Sequence, residues 1–242
     1  MFGLCLLSLF LLILFPGAGL CQTKVIIGFG DSLTEGCDVL SGGCGWITGN
    51  GYENKLQSLL TENGYNFLVT NYGRGGETTT DALQGRFDSV LTEECNQGAE
   101  YILIMEGTND LLHYARGLDV KFNLGVMIDK SIARGLVPLV ATIPPDLEPE
   151  HSYKNIPLMN TYIRDLVAEK EAEYKAEHKK VILVDQYAAL FPYWNSFTPG
   201  CYGDLIHPNA TGFAAMGSVW YDSLSGLLKR TFPWMILLLS TP

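Results

Sequence analysis

The sequence has little charge and less base. Charged residues make up 17% of its 242 positions, too few for a disordered polyampholyte and without long blocks of one sign. Lys and Arg number 16 against 26 Asp and Glu, a formal net charge of −10. Such a surface repels nucleic acid and anionic membranes, so nucleic-acid partners are set aside. There is no C-x-x-C and no H-x-x-x-H, and the four His are scattered. Those absences argue against a metal centre, and no cofactor is expected. No Gly-Lys pair occurs anywhere, which excludes a phosphate-binding P-loop.

What is present is core material. Apolar residues make up 47% of the chain and aromatics 11%, which suits one α/β domain of this length. The first twenty residues, "MFGLCLLSLFLLILFPGAGL", hold no acid, amide or base. Leu4 to Phe15 fits a signal-peptide core and is too short to span a bilayer; Pro16 then breaks the helix ahead of small residues suited to cleavage. The expectation is a signal peptide over 1–20 and a secreted or periplasmic protein. Lipid anchoring at Cys21 is disfavoured because Leu20 stands where a small residue is wanted. One domain is expected over 21–230. The apolar tail 231–242 is too short for a transmembrane helix, and its role stays open.

Between these ends, strand-like and helix-like segments alternate. Continuous apolar runs occur at 24–30, 67–73, 101–107, 136–143 and 180–186, the mark of strands buried on both faces. Helical patterns fall at about 50–63, 79–94, 119–134, 157–177 and 210–229. This ordering predicts an α/β fold with a parallel sheet of about five strands covered on both faces. Ligands of such sheets bind beyond the carboxyl ends of the strands. Polar and glycine-rich segments gather there: "GDSLTEG", "GRGGETT", "GTNDLLH" and "GDLIHPN".

The first of these segments allows several readings. A dinucleotide loop needs a third glycine where Leu33 stands, and a nucleophile elbow G-x-S-x-G needs Gly where Thr34 stands. Ser32 alone reads as a helix N-cap. Its company points to a nucleophile instead. A serine that attacks an ester needs a base, a group to orient the base, and donors for the developing oxyanion. His207, with Asp204 three residues earlier, offers base and orienter in one short segment. His113 is the rival base. Gly75-Gly76 lets the backbone approach a ligand, and Asn109 carries an amide donor; a tight turn and a helix cap are their plainer readings.

Together these residues resemble the GDSL, or SGNH, hydrolases. "GFGDSLTEG", "NYGRGGETT", "MEGTNDL" and "GDLIHPNATG" are similar to the family's four blocks in order and spacing, over about 24–228. The resemblance implies a flavodoxin-like three-layer α/β/α sandwich. It implies Ser32 as nucleophile, His207 as base and Asp204 as its partner, with the oxyanion held by Ser32, Gly76 and Asn109. Glu77 stands where many members carry Asp, and the Cys-flanked loop after the first block is longer than a minimal member needs. The implied activity is hydrolysis of short- to medium-chain carboxylic esters, with carbohydrate O-acetyl esters second. A catalytically silent glycan-binding module on the same fold is the alternative of a different class. Partners would be small-molecule or glycan esters, with no stable membrane span.

Asp31, Trp46, Trp194 and Tyr202 are expected at the substrate, the last two within an aromatic-rich stretch over 186–203. Cys37 and Cys44 flank a Gly-rich stretch at the active edge, where a bridge would contribute about 2–3 kcal/mol. Cys95 follows a helix running to the opposite edge and is expected to stay unpaired. The triplet Asn209-Ala210-Thr211, a glycosylation sequon in form, is read as coincidental beside the expected base.

Overall fold

The computed structural model describes residues 23–37, 51–147, 155–194 and 203–228. Five strands form one all-parallel sheet: β1 (Lys24–Gly30), β2 (Phe67–Gly73), β3 (Ala99–Met105), β4 (Val137–Ala141) and β5 (Ile182–Val184). Their spatial order is β2-β1-β3-β4-β5. The helices are α1 (Ser32–Glu35), α2 (Tyr52–Glu62), α3 (Thr79–Gly85), α4 (Phe87–Thr92), α5 (Thr108–Leu112), α6 (Gly117–Ala133), α7 (Asn155–Tyr174), α8 (Gln186–Trp194) and α9 (Ala210–Ser225).

The alternation of strand side chains divides the core in two. Val25, Ile27 and Phe29 of β1 point to one face with Ile102 and Ile104 of β3, and meet the apolar sides of α3, α4, α6 and α7. Ile26, Leu103, Met105 and Leu139 point to the other face and meet α2, α8 and α9. Both faces are covered, which is why each strand reads as an unbroken apolar run. The three-layer α/β/α sandwich expected from the sequence is the observed one.

Two elements differ from the sequence reading. The single helix expected over 79–94 is two, broken at Arg86, whose φ of −149° is not helical. The aromatic-rich stretch over 186–203, to which the sequence pattern assigned no helix, begins with α8. Leu190 is buried against the α2 and α9 layer, and the Gln186 amide donates to the Met216 carbonyl at 3.2 Å. Burial of that one turn face outweighs Pro192 near the helix end.

The strand order places the crevice between β1 and β3 at a topological switch point, where the chain leaves the sheet centre in opposite directions. The residues after β1 and β3 therefore flank the natural ligand site. Among the described residues, no helix is long and apolar enough to cross a membrane.

Candidate active site

Ser32 is the first residue of α1, two positions past β1. It does not cap that helix: Asp31 does, its carboxylate accepting the Leu33 N–H at 2.9 Å. With the cap supplied by Asp31, the Ser32 side chain is released from that duty. A Cβ on Gly73 would overlap the backbone of Glu35, so only glycine lets β2 end this close to α1.

The Ser32 hydroxyl lies 2.9 Å from Nε2 of His207. Nδ1 of His207 lies 2.8 Å from Oδ2 of Asp204. The other carboxylate oxygen, Oδ1, accepts the N–H groups of Ile206 at 2.7 Å and His207 at 2.6 Å. One aspartate thus shapes the turn that carries the histidine and orients its ring. Partial burial works to raise the Asp204 pKa. The N–H and ring of His207 and the N–H of Ile206 outweigh it and hold the carboxyl below the ordinary Asp range. The loop is pinned from both sides: the Gly203 N–H donates to the His207 carbonyl at 2.8 Å, and the Leu147 N–H to the Leu205 carbonyl at 2.6 Å. His113, the rival base, is exposed at the C-terminal cap of α5.

Two further segments carry the other candidate donors. Gly76 sits at φ +76° with nothing where a side chain would stand, and its N–H meets no acceptor among the described residues. The preceding glycine touches the serine's surroundings: a Cβ on Gly75 would stand 3.8 Å from that of Ser32. Its N–H donates to Glu35 Oε2 at 2.7 Å, tying this loop to α1. Asn109 is not a helix cap, since Gly107 holds that position for α5. Its amide donates to the Glu77 carbonyl at 2.8 Å, and an amide has a second hydrogen to offer. Asp110 beside it accepts from the N–H and hydroxyl of Thr79 at 2.8 and 2.7 Å.

Under this surface the structure gathers buried acids: Asp31, Glu77, Glu106 and Asp110. Asp31, expected at the substrate, has no exposed surface; it supports the site from below. Burial pushes its pKa up to about 6, against the hydrogen bond from the Leu33 N–H and the proximity of Thr108 and His207. Glu106 accepts no hydrogen bond at either oxygen. Burial first, then the charges of Asp31 and Glu77, push it well above the ordinary Glu range. Glu77 is paired with Arg86. Neither Glu106 nor Arg86 stands out in sequence, because nothing in local pattern tells a buried charge from a solvated one.

Cys37 is disulfide-bonded and Cys95 is a free, exposed thiol. Trp46, Cys44 and Tyr202 lie outside the described residues, as do residues 1–22, Cys21 among them, and the tail 231–242. Trp194 ends α8. Asn209, of the sequon, caps α9 through its side-chain oxygen. No cluster of three or more metal-ligating side chains occurs among the described residues.

Five parallel strands with the Ser32 hydroxyl, His207 imidazole and Asp204 carboxylate in line at their carboxyl edge define the class: a three-layer α/β/α protein with a serine–histidine–aspartate relay. More particularly, the chain belongs to the GDSL-like lipase/acylhydrolase family, whose model matches residues 29–215. It is 28% identical over 142 residues to esterase TesA of Pseudomonas aeruginosa, a match covering 58% of this chain and 64%, under two thirds, of that relative. The fold is shared with a lipase/acylhydrolase of Enterococcus faecalis (TM-score 0.68, 20% identity, 86% of this chain and 99% of that one). It is shared also with a family 3 carbohydrate esterase of Clostridium thermocellum (TM-score 0.64, 20% identity, 85% and 97%).

Proposed function

We propose that the protein is a serine esterase that hydrolyses carboxylic esters through an acyl-enzyme on Ser32. The observation that carries this reading is the unbroken relay, Ser32 Oγ to His207 Nε2 at 2.9 Å and His207 Nδ1 to Asp204 at 2.8 Å. His207 takes the hydroxyl proton as Ser32 attacks the ester carbonyl, and Asp204 holds the ring in the tautomer that leaves Nε2 free to accept it. The oxyanion lies against the N–H groups of Ser32 and Gly76 and the free amide hydrogen of Asn109. His207 then returns the proton to the departing alcohol. Water, deprotonated by the same histidine, releases the acid and restores Ser32.

A second reading of the substrate has its own support. A cleft of about 460 Å³ opens beside Gly76, lined by Arg74, Glu77, Asp81 and Gln84. Charged and amide side chains suit hydroxyl-rich groups better than a hydrocarbon chain. That favours O-acetylated carbohydrate as an alternative to simple short-chain esters. Export is part of the proposal: the apolar leader and a disulfide at Cys37 both fit an oxidising compartment.

Ser32→Ala should abolish hydrolysis of p-nitrophenyl acetate and labelling by a serine-reactive phosphonate while leaving thermal unfolding intact. A variant that kept most of its turnover, or was still labelled, would remove Ser32 from the mechanism. Rates on p-nitrophenyl esters of rising chain length, beside acetylated xylan, decide between the two substrate classes.

A further inference from the structure

Arg86 lies in none of the four blocks, yet among the described residues near the site its side chain has the most hydrogen-bond partners. Its side chain is only 14% exposed, and its guanidinium meets three segments at once. One terminal nitrogen donates to the Tyr72 carbonyl at 2.7 Å, near the end of β2. The other donates to the Gly30 carbonyl at 3.0 Å, at the end of β1, and to the Glu77 carboxylate. Nε reaches both Glu77 oxygens, at 2.8 and 2.7 Å. The plane of charge stands over the Phe29 ring, 4.2 Å from its centroid. To reach these partners the backbone leaves helical geometry at Arg86, which separates α3 from α4.

Each oxyanion donor of the proposed reaction is a short step from an atom that Arg86 holds. The Ser32 N–H is two residues beyond Gly30. The Gly76 N–H belongs to the residue before Glu77. The Asn109 amide bonds the carbonyl of Glu77 itself, at 2.8 Å. We infer that Arg86, acting through Glu77, is a positioning residue that sets the oxyanion donors. The inference rests on the esterase reading above.

The chemistry of the pair fits this task. A planar guanidinium binds a carboxylate with two nitrogens and still has N–H groups for two carbonyls, whereas an ammonium is a point donor on a flexible stem. Glu106, the other acid close by, is 4.0 Å from the guanidinium, beyond hydrogen-bond distance. The guanidinium is therefore committed to Glu77.

The test is a kinetic cycle with p-nitrophenyl acetate, each variant's active sites counted by phosphonate titration. Arg86→Gln and Arg86→Lys should lower kcat per active site roughly 10- to 100-fold, with KM changed by less than about twofold. Glu77→Gln, which keeps the main-chain carbonyl, should shift kcat the same way. In an Asn109→Ala background the loss caused by Arg86→Gln should shrink, because one donor it positions is already gone. An equal fold-loss in both backgrounds, or kcat within about twofold of wild type in folded Arg86→Gln, overturns the inference. So does failure of both Arg86→Gln and Glu77→Gln to fold, which would assign the pair to stability alone. Ser32→Ala, run in parallel, reports separately on the esterase reading: retained turnover there sinks that reading whatever Arg86 does.

Discussion

One amide hydrogen of Asn109 is committed to the Glu77 carbonyl, and the other is free for a ligand. Asn109→Ala removes both. It should lower kcat by about 10²- to 10³-fold, equivalent to roughly 2.7–4 kcal/mol of barrier, with a smaller effect on KM. Steady-state kinetics on a folded sample decides this. Local sequence showed which residue types stand at the strand tips, Ser32 and Asn109 among them. It did not show which of several neighbours would cap each helix. Asp31 and Gly107 take those places, because in each turn they alone precede the first helical residue. Asp31 was expected at the ligand; in this sharp strand-to-helix turn its carboxylate lies inward, capping α1, while the Ser32 hydroxyl meets His207.

Among the elements, the strands were the most legible and the short helices the least. A strand buried on both faces announces itself by composition, whereas α1 and α5, of four and five residues, are too short to show a period. The break between α3 and α4 was hidden for another reason. The pattern over 79–94 reads as one helix despite Gly85, and the break falls at Arg86, whose side chain is held by the Tyr72 and Gly30 carbonyls. Helix α9 packs on α2 by a close approach that its sequence does not advertise. A Cβ on Gly217 would stand 2.6 Å from the Tyr52 carbonyl oxygen and 2.8 Å from Lys55 Cβ. Gly217→Val should therefore destabilise the protein by about 1–3 kcal/mol, since backbone atoms cannot yield as side chains do. Urea unfolding measures it; an unchanged midpoint would mean the two helices part easily.

The whole molecule carries more acid than base, 26 residues against 16, and among the described residues six of the acids are buried. Glu53 is buried at the start of α2 with neither carboxylate oxygen hydrogen-bonded among the described residues, and that burial pushes its pKa up to about 8. Asp31 is raised to about 6 by the same cause. A carboxyl whose folded pKa exceeds its unfolded value keeps its proton in the native state after the unfolded chain has lost it. Stability then falls as pH rises, from about 4 to about 6 for Asp31 and from about 4.5 to about 8 for Glu53. Between pH 6 and 8 the Glu53 contribution should approach about 1.4 kcal/mol per pH unit. Glu53→Gln should flatten that slope. Denaturation midpoints measured at pH 6, 7 and 8 in both proteins settle the point; parallel slopes would refute it.

By itself, the sequence determined the layered α/β fold, the number and direction of the strands, and the four segments that meet at one sheet edge. Those are consequences of composition, periodicity and chain order, which act over a few residues at a time. Only the tertiary structure decided which carboxyls lose their water, that Arg86 joins β1, β2 and the glycine loop, and that Glu77 carries the amide of Asn109. Those outcomes depend on groups brought together from 9 to 56 residues apart. A buried charge is defined by what surrounds it in space, and no local pattern encodes that neighbourhood.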